Sequence, residues 1–142
     1  MEDLVALTAA EPYMADHGAR HLEDCAALLI AERAGAIAGY AALWPADHLA
    51  HLCEIDVHPE HGRAGIGRTL MAACEDWALA NGKTGISLTT FIDVPWNGPW
   101  YAQIGYVPYD PPLWPPAHAQ IWAGQLASAL DCTRRHMMVK WL

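Results

Sequence analysis

The sequence predicts one α/β or α+β domain built on a mixed sheet, and three observations carry that expectation. Apolar runs parted by turn residues fill positions 27–57. From Ile66 the apolar residues recur at helical steps instead. A strand-like run then returns, and the order strand, helix, strand signals a crossover with a parallel pair. The 142 residues suit a single domain, residues 1–142, with one core. Hydrophobic residues make up 54% and charged residues 17%, a balance that fills a core and excludes a disordered chain.

The elements follow in order. Residues 1–26 are weakly patterned, with a helical flavour around Ala15 to Ala26. "LLIAE" and "AIAGYAAL" flank a short turn at Arg33-Ala34-Gly35, which predicts a β-hairpin. "HLCEIDV" is the next strand and stops at His58-Pro59. Leu70, Ala73, Cys74, Trp77 and Ala78 mark one face of a helix that begins at Ile66, and Asn81-Gly82 ends it. "GISLTTF" is a strand, "PWYAQIG" a short helix, "YVPY" a strand and "DPPLWPP" a loop. A helix from about Ala117 to Leu130 and a last strand, "HMMVKWL", complete the chain.

Composition bounds the function. Eight Lys+Arg against 16 Asp+Glu give a formal net charge of −8, which argues against nucleic-acid binding and suits a cationic partner such as an amine. Cys25, Cys53, Cys74 and Cys132 form no C-x-x-C pair and sit among apolar neighbours, so buried reduced thiols in a cytoplasmic protein are expected. The eight histidines form no H-E-x-x-H, and no metal site is expected. No apolar run reaches the ~20 residues of a membrane span, and the N-terminus has no signal pattern. His118, His136 and Arg134-Arg135 carry no motif and read as surface.

The stretch "VHPEHGRAGIGRTLM" holds the densest signal. A helix start presents unpaired backbone N–H groups and the positive end of a dipole, where phosphates settle. Gly62, Gly65 and Gly67 leave that backbone bare for approach, and Arg63 and Arg68 add charge. A helix start that only needs tight packing is the competing explanation. The glycines match neither a P-loop nor a dinucleotide fingerprint: Gly82-Lys83-Thr84 has no Gly at the required spacing before it and ends a helix, and the third glycine position after Gly65 and Gly67 is Leu70.

This loop resembles motif A of the GCN5-related N-acetyltransferases, whose strand, [QR]-x-x-G-x-[GA] loop and helix bind the pyrophosphate of acetyl-CoA. "LTTFIDVPWNGPWYAQIGYVPY" resembles the second half of that superfamily, with its Y-x-x-x-G-[FY] element at Tyr101 to Tyr106. The "DVPWN-x-P-x-Y" stretch is similar to a mostly uncharacterised bacterial subgroup. The resemblance spans about residues 51–109. It implies a mixed, mostly antiparallel sheet, a central parallel strand pair splayed around the cofactor, and helices on both faces. Two departures stand out. Gly62 occupies the loop's usual Gln or Arg position, and only about 26 residues precede the hairpin, so the N-terminal part is expected to be shortened.

What the resemblance implies is direct transfer of an acetyl group from acetyl-CoA to a primary amine, on a small molecule or a peptide. Residues 62–68 (Gly62, Arg63, Ala64, Gly65, Ile66, Gly67, Arg68) would hold the diphosphate, and the backbone of Ile55, Asp56 and Val57 the pantetheine. Tyr101 matches the tyrosine that points at the coenzyme sulfur, and a phenol of pKa ~10 can protonate a thiolate. Anchoring a short helix is its structural alternative. His51 falls where some members place a catalytic Glu or His, and its ordinary pKa of ~6.5 suits proton removal. Glu54 is a second candidate base. Strict alternation sets His51 and Cys53 on one face and Glu54 and Asp56 on the other, unless a bulge intervenes. Asn97 could touch the pantetheine, with helix capping the preferred role. Among the loop tryptophans, Trp96 and Trp100 are assigned to the acceptor side. A non-catalytic acyl-CoA-binding or sensing module is the alternative function, and an acyl group other than acetyl stays open. Dimers are common among such proteins, so a homodimer also stays open.

Overall fold

Seven strands form one sheet among the residues that the computed structural model of the chain describes, which are 4–8 (backbone only), 26–61, 65–128 and 130–142. In chain order they are β1 (Leu4–Thr8), β2 (Ala27–Arg33), β3 (Ala36–Ala46), β4 (Leu49–Val57), β5 (Gly85–Phe91), β6 (Val107–Pro108) and β7 (Arg135–Trp141). The helices are α1 (Ile66–Ala80), α2 (Gly98–Gln103) and α3 (Pro116–Ala127). The spatial order is β1-β2-β3-β4-β5-β7-β6. All neighbours are antiparallel except β4 and β5.

The expected hairpin is β2–β3, closed by Ala34 and Gly35, both at positive φ as a two-residue turn between twisted strands requires. The expected crossover is β4–α1–β5, and its strands pair through only two positions, Ala50 with Ile86 and His51 with Ser87. Beyond His51 the two strands part. Among the described residues, no strand pairs with the β5-facing edge of β4 at Ile55, Asp56 and Val57.

Core formation separates the two faces of the sheet. On one, Ile66, Leu70, Met71, Cys74 and Ala78 of α1 and Tyr101 of α2 pack on Leu29, Ala41, Leu43, Leu52, Ile86 and Leu88. At ~25 cal/mol per Å² of apolar surface, burying such a stripe is the main force that docks α1. The other face carries α3, whose one buried residue is His118. Helices thus cover both faces, as expected. No helix among the described residues is long and apolar enough to cross a membrane.

Several boundaries and placements differ from expectation. The strand β1 was not expected: a five-residue run of ordinary composition gains its conformation from pairing with β2. The helical flavour at Ala15 to Ala26 falls outside the described residues up to position 25. Helix α3 stops at Ala127 rather than Leu130. Cys74 is buried as expected, but Cys53 and Cys132 are half-buried, and Cys25 is outside the described residues.

Candidate active site

The site begins with a bulge. Ala42 pairs with Glu54 and Leu43 with Leu52, so Cys53 is an extra residue in β4. The bulge shifts the alternation by one. His51, opposite Trp44, and Glu54, opposite Ala42, therefore share the α3 face of the sheet, as does Asp56 opposite Tyr40. Leu52, Ile55 and Val57 turn to the α1 face. The strict alternation that separates His51 from Glu54 is thus corrected by one inserted residue.

Where β4 and β5 part, a cavity of about 550 Å³ opens on the α3 side. Trp44 and Pro45 of β3, His51 and Cys53 of β4, Thr89 of β5 and Ile121 of α3 line it. Of the predicted catalytic residues, His51 alone lies on its wall. Glu54 is held beside it by Tyr40, whose hydroxyl donates to Oε2 at 2.5 Å. Burial, with the Glu54 carboxylate adding to it, pushes the Tyr40 phenol far above its ordinary pKa, so it stays a donor. The indole N–H of Trp44 is buried and has no hydrogen-bond partner among the described residues, a donor left available on a cavity-lining side chain.

Behind His51 runs a chain of hydrogen bonds. His51 Nδ1 lies 2.8 Å from Ser87 Oγ, Ser87 Oγ lies 2.8 Å from His118 Nε2, and His118 Nδ1 lies 2.7 Å from Asp47 Oδ2. His51, Ser87 and His118 are all buried. Asp47 sits in the turn between β3 and β4 and also accepts the backbone N–H groups of Ala117 and His118, capping α3 from 70 residues away. Burial pushes the Asp47 carboxyl up, but these bonds from His118 and the backbone outweigh it and hold it below the usual carboxylate range. Burial, with a smaller like-charge contribution that His118 makes when protonated, pushes His51 down to about 3, so the His51 ring is neutral at neutral pH.

Ser87, His118 and Asp47 are the residues that sequence reasoning missed. His118 is corrected from surface to fully buried; the apolar residues of α3, Ala117, Ala119, Ile121 and Trp122 among them, are spread around the helix and mark no single face for burial. Nothing in the sequence relates Asp47 to α3, because their link is a contact across the sheet. His136 and Arg135 are half-buried, while Arg134 is exposed as expected.

On the opposite face lies the glycine loop. Gly65 is the N-cap of α1 with φ 80°, a conformation that costs any residue with a Cβ, and no side chain caps the helix. The first N–H groups of α1, at Ile66, Gly67 and Arg68, have no intrahelical partner. The Ile66 side chain is buried in the core, so its backbone alone is presented. Gly67 has a second reason to be bare: a Cβ there would stand 3.3 Å from the Trp100 ring. Arg68 is exposed, and Gly62, Arg63 and Ala64 fall outside the described residues. Tyr101 is buried against Trp100 and Tyr106 in edge-to-face contacts, and burial pushes its hydroxyl up to about 12. It shares a core cluster with Ile55 and Val57.

Two further expectations are corrected here. Trp100 packs on the α1 face and Trp96 is exposed, so neither lines the cavity, whereas Trp44 does. Asn97 does not cap α2 with its side chain; its Oδ1 instead accepts from Thr90 Oγ1 at 2.8 Å, tying the α2 entry to β5.

Comparison with known proteins places this geometry. A model of the acetyltransferase (GNAT) family matches residues 3–106. A GNAT family acetyltransferase from Elizabethkingia anophelis, solved with acetyl-CoA bound, superposes with a TM-score of 0.72 at 16% identity, over 99% of this chain and 98% of that one. A Bacillus anthracis str. Ames chain solved in complex with acetyl coenzyme A superposes with a TM-score of 0.62 at 20% identity, over 82% of this chain. N-acetylglutamate synthase from Neisseria gonorrhoeae, complexed with coenzyme A and N-acetyl-glutamate, gives 0.71 at 19% identity over the whole of this chain. The chain spans 62% of the Bacillus anthracis protein and 36% of the synthase. These likenesses are of fold.

Proposed function

The chain belongs to the acetyltransferase (GNAT) family, and from that premise we propose that it transfers an acetyl group from acetyl-CoA to a primary amine of a small molecule or peptide. One observation carries the proposal: the cavity opens where β4 and β5 part, with the neutral His51 on its wall.

Acetyl-CoA would bring the thioester. The chain's own residues fit it on the α1 side. The uncapped start of α1 offers N–H groups and a positive dipole end for the diphosphate. The unpaired edge of β4, through Ile55, Asp56 and Val57, offers backbone groups for the pantetheine. The amine enters from the α3 side. An ammonium has no lone pair, so one proton must leave before attack, and His51 is the base we assign; Glu54 is engaged by Tyr40. A second proton leaves nitrogen as the amide forms, and the departing sulfur needs one. Tyr101 supplies it, a phenol that stays protonated across the working range, and the second proton from nitrogen restores the phenol. Holding both reactants in one gap removes much of the entropic part of the barrier.

The test is calorimetric titration with acetyl-CoA and CoA, followed by turnover of acetyl-CoA with a panel of primary amines. The native chain binds both coenzymes. Gly65→Asp keeps the fold but loses affinity at least ~10-fold, through charge at the helix start. Tyr101→Phe keeps affinity and loses turnover. Native-like affinity in a folded Gly65→Asp protein would remove the phosphate site from α1.

A further inference from the structure

Asp47, His118 and Ser87 have the spacing of a hydrolytic triad, with Ser87 Oγ 2.8 Å from His118 Nε2 and His118 Nδ1 2.7 Å from Asp47. Yet Ser87 is 0% exposed and its oxygen is shared with a second imidazole, so no substrate carbonyl can reach it. The line of groups ends instead on His51, at the cavity wall. We propose that Asp47, His118 and Ser87 are positioning residues that fix the tautomer of His51 and carry away the proton it takes from the amine. The role of His51 as the base rests on the function proposed above.

The direction of each bond follows from chemistry. The Asp47 carboxylate only accepts, so His118 Nδ1 carries the hydrogen, and in the neutral ring His118 Nε2 is then a bare acceptor. The Ser87 hydroxyl must therefore donate to His118 Nε2. Its oxygen then accepts from His51, which places a hydrogen on His51 Nδ1. His51 Nε2 is left with its lone pair, the ring nitrogen available to a molecule in the cavity. Every donor in the line has one acceptor, and the polarity is dictated from the Asp47 end.

The proton step balances. The N–H bond of the ammonium breaks and His51 Nε2 gains the proton. His51 Nδ1 passes its hydrogen to Ser87 Oγ as Ser87 passes its own to His118 Nε2. The amine is neutral, and the positive charge rests on His118 against the Asp47 carboxylate. This answers a difficulty of the site: a buried imidazole holds a proton poorly by itself. The other titratable groups facing the line are Cys53 and Glu54 of β4, Lys83, Tyr109 and Arg135. Tyr40 holds Glu54, Gln125 and Thr89 hold Arg135, Lys83 donates to the Asp47 backbone carbonyl, and Tyr109 meets His118 edge-on. None interrupts the path. Among the described residues no three His, Cys, Asp or Glu side chains converge as a metal site.

Nitrogen NMR of the isotope-labelled full chain at neutral pH tests the polarity without any substrate. His51 should carry its hydrogen on Nδ1 with Nε2 bare, His118 should carry one on Nδ1, and Ser87→Ala should shift the hydrogen of His51 toward Nε2. A native His51 with its hydrogen on Nε2 overturns the proposal. The second arm follows acetyl transfer from acetyl-CoA to the amine panel across pH. Ser87→Ala and His118→Gln should keep coenzyme affinity, lose roughly 10- to 100-fold in turnover, and move the rising limb toward the amine's own pKa. Folded variants with native rates and an unchanged limb also overturn it. A native chain that turns over no amine removes the transferase function, and the positioning of His51 is then decided by the tautomers alone.

Discussion

Helices α1 and α3 cover opposite faces of the same sheet and are held by different physics. Helix α1 buries a stripe of Ile66, Leu70, Met71, Cys74 and Ala78. Helix α3 buries one residue, a histidine, and takes its place through three hydrogen bonds to Asp47. Apolar burial is non-directional and tolerant, so it builds a platform. Hydrogen bonds between buried groups demand geometry, so they set one imidazole in one orientation. In this chain the stable half lies on the α1 side and the precisely oriented polar half lies at the cavity.

The comparison predicts unequal responses to damage. The largest is expected from Leu70→Ala, which should cost about 2–5 kcal/mol of global stability by chemical denaturation. Ile121→Ala, on the half-buried α3, should cost clearly less, and equal losses would erase the distinction.

Acid is the next lever, and it acts on the polar half. The folded pKa of His51 is about 3, below its ordinary ~6.5, so the unfolded chain binds a proton first as pH falls. This stability is present above ~6.5 and is lost progressively as pH drops toward ~3. Denaturation midpoints of the native chain should therefore fall between neutral pH and pH ~5, and His51→Gln should flatten that slope. A slope unchanged by the substitution would place the acid sensitivity elsewhere.

The smallest effect is local. Asp47→Asn weakens a cap and a charge-assisted bond, and about 1 kcal/mol is expected. Hydrogen exchange should rise in α3 and leave α1 unchanged. Protection lost equally from both helices would mean that they open as one unit.

The two halves also differ in how far the sequence announces them. The α1 stripe, the hairpin turn and the strand before His58-Pro59 are written in local periodicity and turn chemistry, and the structure has each of them; of the glycine loop the described part is the helix start at Gly65. The strand that carries His51 and the helix that carries Tyr101 were legible in the same way, and the choice of these two residues came from the family resemblance. The relation between His51 and Glu54 was not legible, since it turns on one bulged residue, Cys53, whose presence shows only in the register against β3. The role of Asn97 was misjudged because capping is a local expectation, whereas its partner Thr90 is on β5.

By itself the sequence determined the mixed sheet, the crossover helix and the bare helix start, because these follow from side-chain spacing along a few turns of chain. Only the tertiary structure decided which groups stand behind His51. Asp47, Ser87 and His118 lie on a turn, a strand and a helix, separated by 40 and 31 positions in the chain. No periodicity can record such a meeting. It exists because a sheet edge, a register shift and a helix cap bring three polar groups into a place where each must find a partner.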